Sequence, residues 1–411
     1  MDFYIPDNNL FSKRFTILVR KLSGIEVGAK DWRQQLANWV QAHPCAWWQG
    51  VWIACEIKGD PGEHGLDDQN KTPDIGEIFS NARINIAENI FTFGPLNDDS
   101  LIAWAEDGPR SIWARARLKE MAGRFASAFH ELGLNSGDRV VIHLPDVPEK
   151  IAAFLGACWM GLVPVIEPPW ARPIHGRDTC WAEFSPKLIL TCDGYRRDGV
   201  WVDNGSFLEK LTAQTKDDLI VVPVPCAGSR RNVQSKAEVM PWDTFDKLGK
   251  GGGFSYRYIP FVQELAFLYQ NDDADFKMIK SGEWLTSMLM DWLLWVDIGV
   301  GAHIFASDIR EQSNWLRLIA ALATGSDVIL YNGDHGAMNG QVLWRIIERE
   351  QVKVVHITQK LLAEIQNGKA EPKQNHHLDR VELVIVEGAI STAQKDFLQT
   401  SCFVNAKISF C

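Results

Sequence analysis

Short apolar runs alternate with amphipathic segments along most of this chain, and this alternation limits the folds that it can adopt. The run DRVVIHLP is followed by the helix-like segment PEKIAAFLGACWMG and then by the apolar run LVPVIEP. A second alternating series contains AHIFASD, GSDVILYNG, VKVVHIT and VELVIVEG. Strands that are apolar along their whole length are typical of parallel sheets covered by helices on both faces. The sequence therefore predicts an α/β fold built on parallel strands.

The alternation divides the chain into three predicted segments. Residues 1–80 form a helical N-terminal extension followed by a polar linker, residues 81–258 a first α/β unit, and residues 259–411 a second, truncated one. The extension has apolar residues at helical spacing on one face, before Pro44 interrupts it. These face residues are Trp32, Leu36, Trp39 and Val40.

Composition excludes several classes of function. The net charge of -10 argues against nucleic acid as a partner, because neutralising phosphates requires a basic face. No run reaches the roughly 18 apolar residues of a membrane span, and the N-terminus lacks the pattern of a secretory signal. The eight cysteines show no CxxC pairing, which favours reduced, buried thiols. We therefore expect a cytoplasmic protein without a membrane or nucleic-acid partner.

Several segments together resemble a known family. NARINIAENIF (81–91), GDRVVIHLPDVPEKIAAFLGACWMGLVPVIEPPW (137–170), FSPKLILTCDGYRRDGVWVD (184–203) and GSDVILYNGD (325–334) occur in the order typical of acetoacetyl-CoA synthetases. These are members of the adenylate-forming acyl-CoA ligase superfamily. The resemblance implies two mostly parallel sheets flanked by helices, as in the large N-terminal part of that fold. It also implies that the family's small C-terminal domain is absent, because the chain stops before it.

The resemblance further implies a reaction in which ATP and a carboxylate form an acyl-adenylate, from which coenzyme A displaces AMP. That family places a Gly/Ser/Thr-rich phosphate loop after an apolar strand and ends it with lysine. In this chain the corresponding nucleotide-site positions are Tyr269, at the end of the strand, and Lys277, after the loop QNDDADFK. No glycine remains in that loop, and Asp272, Asp273 and Asp275 fall within it.

The acids in this loop oppose phosphate binding. A carboxylate about 4 Å from a phosphate oxygen repels it by about 1 kcal/mol in water and about 4 kcal/mol at an effective dielectric near 20. An alternative is that NDDAD holds Mg²⁺ through oxygen ligands and reaches the phosphates through the metal. We expect a solvated loop and no bound cofactor. ATP, Mg²⁺ and CoA are expected only if the protein is an active ligase.

Two further motifs of the family each keep one of their residues in this chain. Trp315 falls on the second aromatic position of the substrate-pocket segment, where it would line an acyl pocket or simply pack in the core. Gly388 occupies the turn that lies against adenine in the family, although turns require glycine for backbone reasons alone. No catalytic residue and no metal site is predicted. The pair His376-His377 lacks a third ligand, and His143 is expected to be a core histidine.

Three functions remain open at this point. The chain is a degenerate relative that binds an acyl or carboxylate ligand, a CoA thioester or a protein partner; or it is an acid–thiol ligase whose missing half is supplied elsewhere; or it is a non-functional relict. The C-terminal stretch CFVNAKISFC is expected to be an incompletely covered edge. We therefore expect self-association or a protein partner at the surface around Val384, Val386, Phe403 and Ile408.

Overall fold

The structure is a computed structural model, and most of the chain is described. The described ranges are 11–63, 73–105, 111–171, 181–197, 200–205, 219–225, 238–251, 253–270, 275–306, 312–333, 337–367, 372–386, 388, 390–403 and 406–410.

The helices cluster at the N-terminus and then alternate with strands. Ser12 caps the first helix by accepting a hydrogen bond from the Phe15 backbone N–H at 3.0 Å, and Gly24 ends it in the left-handed conformation. The α-helices are α1 (Lys13–Ser23), α2 (Trp32–Ala42), α3 (Pro44–Ala54), α4 (Ile75–Ile78), α5 (Ile86–Ile90), α6 (Arg115–Glu131), α7 (Pro148–Met160), α8 (Trp242–Leu248), α9 (Ser281–Leu289), α10 (Gln312–Leu322), α11 (Ala337–Arg349), α12 (Gln359–Asn367) and α13 (Thr392–Phe397). Helix α9 continues directly into a π-helical segment, Met290–Val296.

Most strands are short and buried. They are β1 (Gly59–Asp60), β2 (Arg83–Ile84), β3 (Asp99–Ala105), β4 (Ser111–Ala114), β5 (Arg139–His143), β6 (Val163–Ile166), β7 (Leu188–Thr191), β8 (Gly194–Arg197), β9 (Val200–Asp203), β10 (Ile220–Pro223), β11 (Glu238–Val239), β12 (Ile259–Pro260), β13 (Glu264–Gln270), β14 (Asp275–Lys280), β15 (His303–Ala306), β16 (Asp327–Asn332), β17 (Val354–Ile357), β18 (Leu383–Val386) and β19 (Lys407–Phe410).

Fourteen of these strands form two seven-stranded sheets. The first has the order β11-β10-β7-β5-β6-β13-β14, and only its β13–β14 pair is antiparallel. The second has the order β19-β18-β17-β15-β16-β3-β4, and only its β3–β4 pair is antiparallel. The fold of two mostly parallel sheets flanked by helices is therefore confirmed.

Each sheet contains strands from both halves of the chain. Strands β3 and β4 precede residue 115, yet β3 pairs with β16 and β4 pairs with β3, so both belong to the second sheet. Strands β13 and β14 follow residue 259, yet they extend the first sheet through β6. The sheets consequently do not coincide with the segments 81–258 and 259–411, because strand pairing is set by contacts that are distant in sequence.

The main hydrophobic core joins the extension to both sheets. It contains Phe15 and Trp47 from the N-terminal helices, Ile142 from β5 and Leu330 from β16. Three of the four predicted face residues of α2 are buried, and Trp39 is half-buried and stacks on His43 at 4.7 Å. The extension is therefore packed into the core of the molecule.

Some predictions about cysteines and membranes can be compared with the described residues. Cys55, Cys158, Cys192 and Cys402 are free and buried, and Cys45 is half-buried. Cys180, Cys226 and Cys411 lie outside the described residues. In the described part of the chain, no helix combines the length and apolarity needed to cross a bilayer.

The C-terminal surface differs from the expectation. Val384 and Val386 are fully buried on β18, and Phe403 is buried against Trp344 of α11 in an edge-to-face contact at 5.8 Å. Only Ile408, on the outermost strand β19, is half-buried. The expected uncovered apolar side was therefore wrong for three of the four residues, because α11 and neighbouring elements cover them. Self-association stays a prediction that rests on the edge of β19 alone.

Candidate functional site

A group of buried polar residues lies where three neighbouring strands of the first sheet end. The chain passes from β5 to β6 on one side, then returns to β7 on the other side of β5. Such a reversal creates a crevice at the carboxyl ends of the strands, where α/β proteins bind their ligands. This crevice is the best candidate for a functional site.

His143 lies at the end of β5, and Asn204 directly follows β9. His143 ends β5 opposite Thr191 of β7, and Trp181 stacks on its ring at a centroid distance of 5.8 Å. The Asn204 side chain donates hydrogen bonds to the Cys192 carbonyl at 3.2 Å and to Thr191 Oγ1 at 3.5 Å. Burial lowers the pKa of His143 to about 4, although interactions with the Asn204 side chain and the Glu167 backbone oppose this shift. The imidazole is therefore uncharged at neutral pH.

Glu167 follows β6 directly and is the most perturbed acid of the crevice. Its side chain is buried, and Oε2 has no hydrogen-bond partner among the described residues. Burial raises the pKa of this carboxyl to about 8. A carboxyl group with that pKa is mostly protonated at pH 7, so it can donate a hydrogen bond.

A buried ion pair lies at the start of α7. Lys150 Nζ is 2.8 Å from Asp146 Oδ1, and both side chains are almost completely buried. The same ammonium group lies 4.6 Å from the ring centroid of Trp315, which comes from α10 beside the second sheet. Trp315 also meets Phe154 of α7 edge to face at 5.2 Å. The pair therefore sits between the two sheets, with the charge of Lys150 compensated by Asp146 and the indole.

The four residues predicted for the site lie in three different places. Trp315 is 1% exposed and belongs to the main core, in agreement with the packing alternative. Tyr269 is buried on β13 and packs edge to face against Phe276 at 5.7 Å. Lys277 is exposed on β14, opposite Leu268. Gly388 is exposed just after β18 of the second sheet, with a φ of 72°. Their roles in binding stay predictions.

The expected phosphate loop is shorter than its sequence indicated. Strands β13 and β14 pair up to Gln270 and Asp275, so Asp275, Phe276 and Lys277 are strand residues. Only residues 271–274, with the sequence NDDA, connect the two strands. Asp272 and Asp273 lie outside the described residues. The prediction that Asp275 belongs to a surface loop was wrong, because β-hairpin pairing extends beyond the apolar run.

Sequence reasoning missed Glu167 and the role of Lys150. A carboxylate directly after an apolar strand and before Pro168 was the available signal for Glu167. The i,i+4 spacing of Asp146 and Lys150 was the signal for the ion pair. Neither signal indicates burial, which depends on how α7 packs against α10. Within the described part of the chain, no group of three potential metal ligands occurs.

Glu167 and His143 can offer hydrogen bonds without carrying a net charge. A protonated Glu167 and a neutral His143 suit an uncharged polar group such as a thioester carbonyl, whereas a triphosphate requires uncompensated positive charge or backbone N–H groups.

Comparisons with known proteins agree with this fold. Residues 102–242 match the family described as AMP-binding enzyme. The acetoacetyl-coenzyme A synthetase of Rhizobium meliloti is 25% identical over 361 residues, covering 86% of this chain and 54% of that protein. The acetoacetyl-CoA synthetase of Gallus gallus is 26% identical over 410 residues, covering 93% of this chain and 59% of that protein.

A solved structure gives the same result at the level of the fold. Acetoacetyl-CoA synthetase from Streptomyces lividans superposes with a TM-score of 0.78 at 20% sequence identity, covering 98% of this chain and 63% of that one. The chain thus spans a little over half the length of the relatives it matches. The predicted resemblance is confirmed: the chain is similar in sequence and fold to the acetoacetyl-CoA synthetases, and residues 102–242 match the AMP-binding enzymes.

Proposed function

We propose that this chain is an acetoacetyl-CoA synthetase-like binding protein that takes an acyl group, as a carboxylate or a CoA thioester, and does not form acyl-adenylates by itself. The observation that carries this proposal is the β13–β14 hairpin. Its strands pair as far as Gln270 and Asp275. The four residues between them contain two aspartates and no glycine, serine or threonine.

The electrostatics of the crevice support the same proposal. Lys150 forms an ion pair with Asp146 at 2.8 Å, and His143 is uncharged at neutral pH. A triphosphate would therefore meet the acids of the connection without a compensating cation from this part of the crevice. Each carboxylate near a phosphate costs about 1 to 4 kcal/mol, depending on the local dielectric.

A second candidate is an ATP-dependent acid–thiol ligase. The identity to acetoacetyl-CoA synthetases extends over 86–93% of this chain, which favours retention of their chemistry. In that case activity would also need the portion of the relatives that this chain does not span. ATP, Mg²⁺ and CoA would then be ligands, with Tyr269, Lys277 and Gly388 at the nucleotide.

One assay distinguishes the two candidates. The protein is incubated with Mg-ATP, CoA and acetoacetate, acetate, malonate or 3-hydroxybutyrate, and AMP formation is measured. An active acetoacetyl-CoA synthetase serves as the positive control. We expect no carboxylate-dependent AMP, together with calorimetric binding of acetoacetate or acetoacetyl-CoA. Carboxylate-dependent turnover establishes the ligase instead, and absence of acetoacetate and acetoacetyl-CoA binding removes the binding-protein candidate.

A further inference from the structure

A large groove lies on the side of the first sheet away from the crevice. In the antiparallel β13–β14 pair, Lys280 at the end of β14 is opposite Glu264 at the start of β13. Because β13 runs parallel to β6, this end lies at the amino ends of the parallel strands. The groove begins at Lys280 and has a volume of about 850 Å³, within the range of small-molecule sites.

The floor of this groove is apolar and aromatic. It is formed by Val40 and Trp48 of α2 and α3, Ile75 of α4, and Met290 and Trp295 of the π-helical segment. All five side chains are at least nine-tenths buried, so the floor is held in place by the core beneath it. Tryptophan surfaces of this kind attract organic cations as well as apolar groups.

The π-helical segment orients two of the lining residues. Residues four apart share a face of a helix, so Glu283, Ser287 and Asp291 follow one another along the groove. The wider π turn also brings both Met290 and Trp295 to this face. Such π-helical insertions are found frequently at functional sites.

The rim of the groove carries more acids than bases. Among the described residues, three carboxylates line it, from Asp74, Glu283 and Asp291, against one cation, Lys280. Lys280 is already paired with Glu283 at 2.9 Å, and Asp291 is paired with Arg317 at 3.1 Å from behind the wall. Even with Arg317 included, the acids exceed the bases by one. The electrostatic balance therefore favours a positively charged ligand.

We propose that this groove binds a small organic cation with an apolar or aromatic body. The body lies on the floor of Trp48, Met290 and Trp295, and the cationic end faces Asp74 and Glu283. This site is independent of the proposed acyl-binding crevice, because the two lie at opposite ends of the strands of the first sheet.

Three matched probes test the proposal by calorimetry on the full chain. Benzyltrimethylammonium carries the proposed charge, benzyl alcohol is its neutral counterpart, and phenylacetate is its anionic one. We expect the cation to bind about tenfold or more tighter than phenylacetate, since each acid attracts one and repels the other. Equal affinity for the three probes, or no binding, overturns the proposal.

Variants locate the binding in the groove. Asp74→Asn keeps the helix cap of α4, and combined with Glu283→Gln it should weaken benzyltrimethylammonium binding by about three- to tenfold. Glu131→Gln removes an exposed acid elsewhere and should change nothing. Ala37→Trp fills the groove from half-buried Ala37 on α2 without removing a core side chain, and should abolish binding while the thermal melt stays cooperative. Binding that survives both groove variants contradicts the proposal.

Discussion

At the scale of single residues, the buried ion pair and Glu167 set the electrostatics of the crevice. Lys150 and Asp146 compensate each other inside the protein, at the contact between α7 and α10. A buried pair of this kind adds little net stability, but removing one partner leaves the other charge uncompensated. Glu167 avoids that cost by staying protonated, as its raised pKa indicates.

Lys150→Met should destabilise the protein by about 3 to 5 kcal/mol, because Asp146 loses the buried ammonium group that compensates its charge. The double variant Asp146→Asn with Lys150→Met should recover much of that loss. Urea denaturation measures both free energies of unfolding. Lys119→Met, on half-exposed Lys119 of α6, is the control and should change stability by no more than about 0.5 kcal/mol. If Lys150→Met is as stable as Lys119→Met, the ion pair is not buried in solution.

Glu167 should make stability depend on pH. Its pKa is about 8 in the folded protein and near the ordinary 4.5 when unfolded, so between these values the folded state binds one more proton. Stability must therefore fall as pH rises from about 4.5 to 8. Glu167→Gln removes this contribution and should stabilise the protein more at pH 8 than at pH 5. Thermal melts across this range check it, and a variant that shifts all pH values equally would contradict it.

At the scale of elements, the β13–β14 hairpin determines how many residues are available for a phosphate-binding loop. Asp275, Phe276 and Lys277 pair with β13, so they are not available for a phosphate loop. The sequence between the paired strands is NDDA, which is short and acidic. The same hairpin carries Tyr269 and Lys277 at neighbouring register positions, with Lys277 exposed. The hairpin therefore forms the antiparallel edge of the first sheet.

Millimolar Mg-ATP should leave the melting temperature unchanged, since a ligand stabilises only when its concentration exceeds its dissociation constant. A rise of several degrees would show that the acids recruit Mg²⁺ and nucleotide together.

The connection and the strand should respond differently to glycine. Replacing Asp272 by Gly and Asp273 by Thr is expected to leave stability nearly unchanged, because both positions fall between the paired strand ends Gln270 and Asp275. Asp275→Gly, within β14, should cost about 0.5 to 1 kcal/mol through the lost β conformation. Chemical denaturation of the three proteins compares them, and a large loss for the connection variant would mean that its acids make structural contacts.

At the scale of the whole molecule, Arg115 ties distant parts of the chain together. It begins α6, immediately after β4 of the second sheet, and is fully buried. Its guanidinium donates to the carbonyls of Leu322 at 3.0 Å and Ser326 at 3.2 Å. Gly94 packs closely against both Arg115 and Gly325. A Cβ atom at Gly94 would lie 2.8 Å from Arg115 Nε. Helix α6 is thereby fixed to the second sheet while it packs on α7 of the first.

Arg115→Met should cost about 3 kcal/mol, because buried carbonyls lose their donors. Arg117→Met, two residues along the same helix, removes an exposed arginine that lies over Trp113 at 4.4 Å and should cost less than about 1 kcal/mol. Equilibrium unfolding compares the two variants. Similar losses of stability in the two variants would show that the hydrogen bonds from Arg115 to the buried carbonyls do not stabilise the fold.

The sequence by itself determined the classes of element and their order. Apolar runs such as VVIHL and LVIV could be identified as buried parallel strands, because burial on both faces requires continuous apolarity. The same reasoning located the amphipathic helices α6 and α7, and it found the resemblance through segments that keep their order along the chain.

Only the tertiary structure decided which strands share a sheet and which side chains are buried. Strands β3 and β13 each join a sheet formed mainly by the other half of the chain, and Phe403 is covered by Trp344, which is 59 residues away in sequence. The charge states of Glu167 and His143 follow from that packing as well. Local patterns cannot reveal these properties, because burial and pKa shifts arise from neighbours that the fold brings together across long sequence separations.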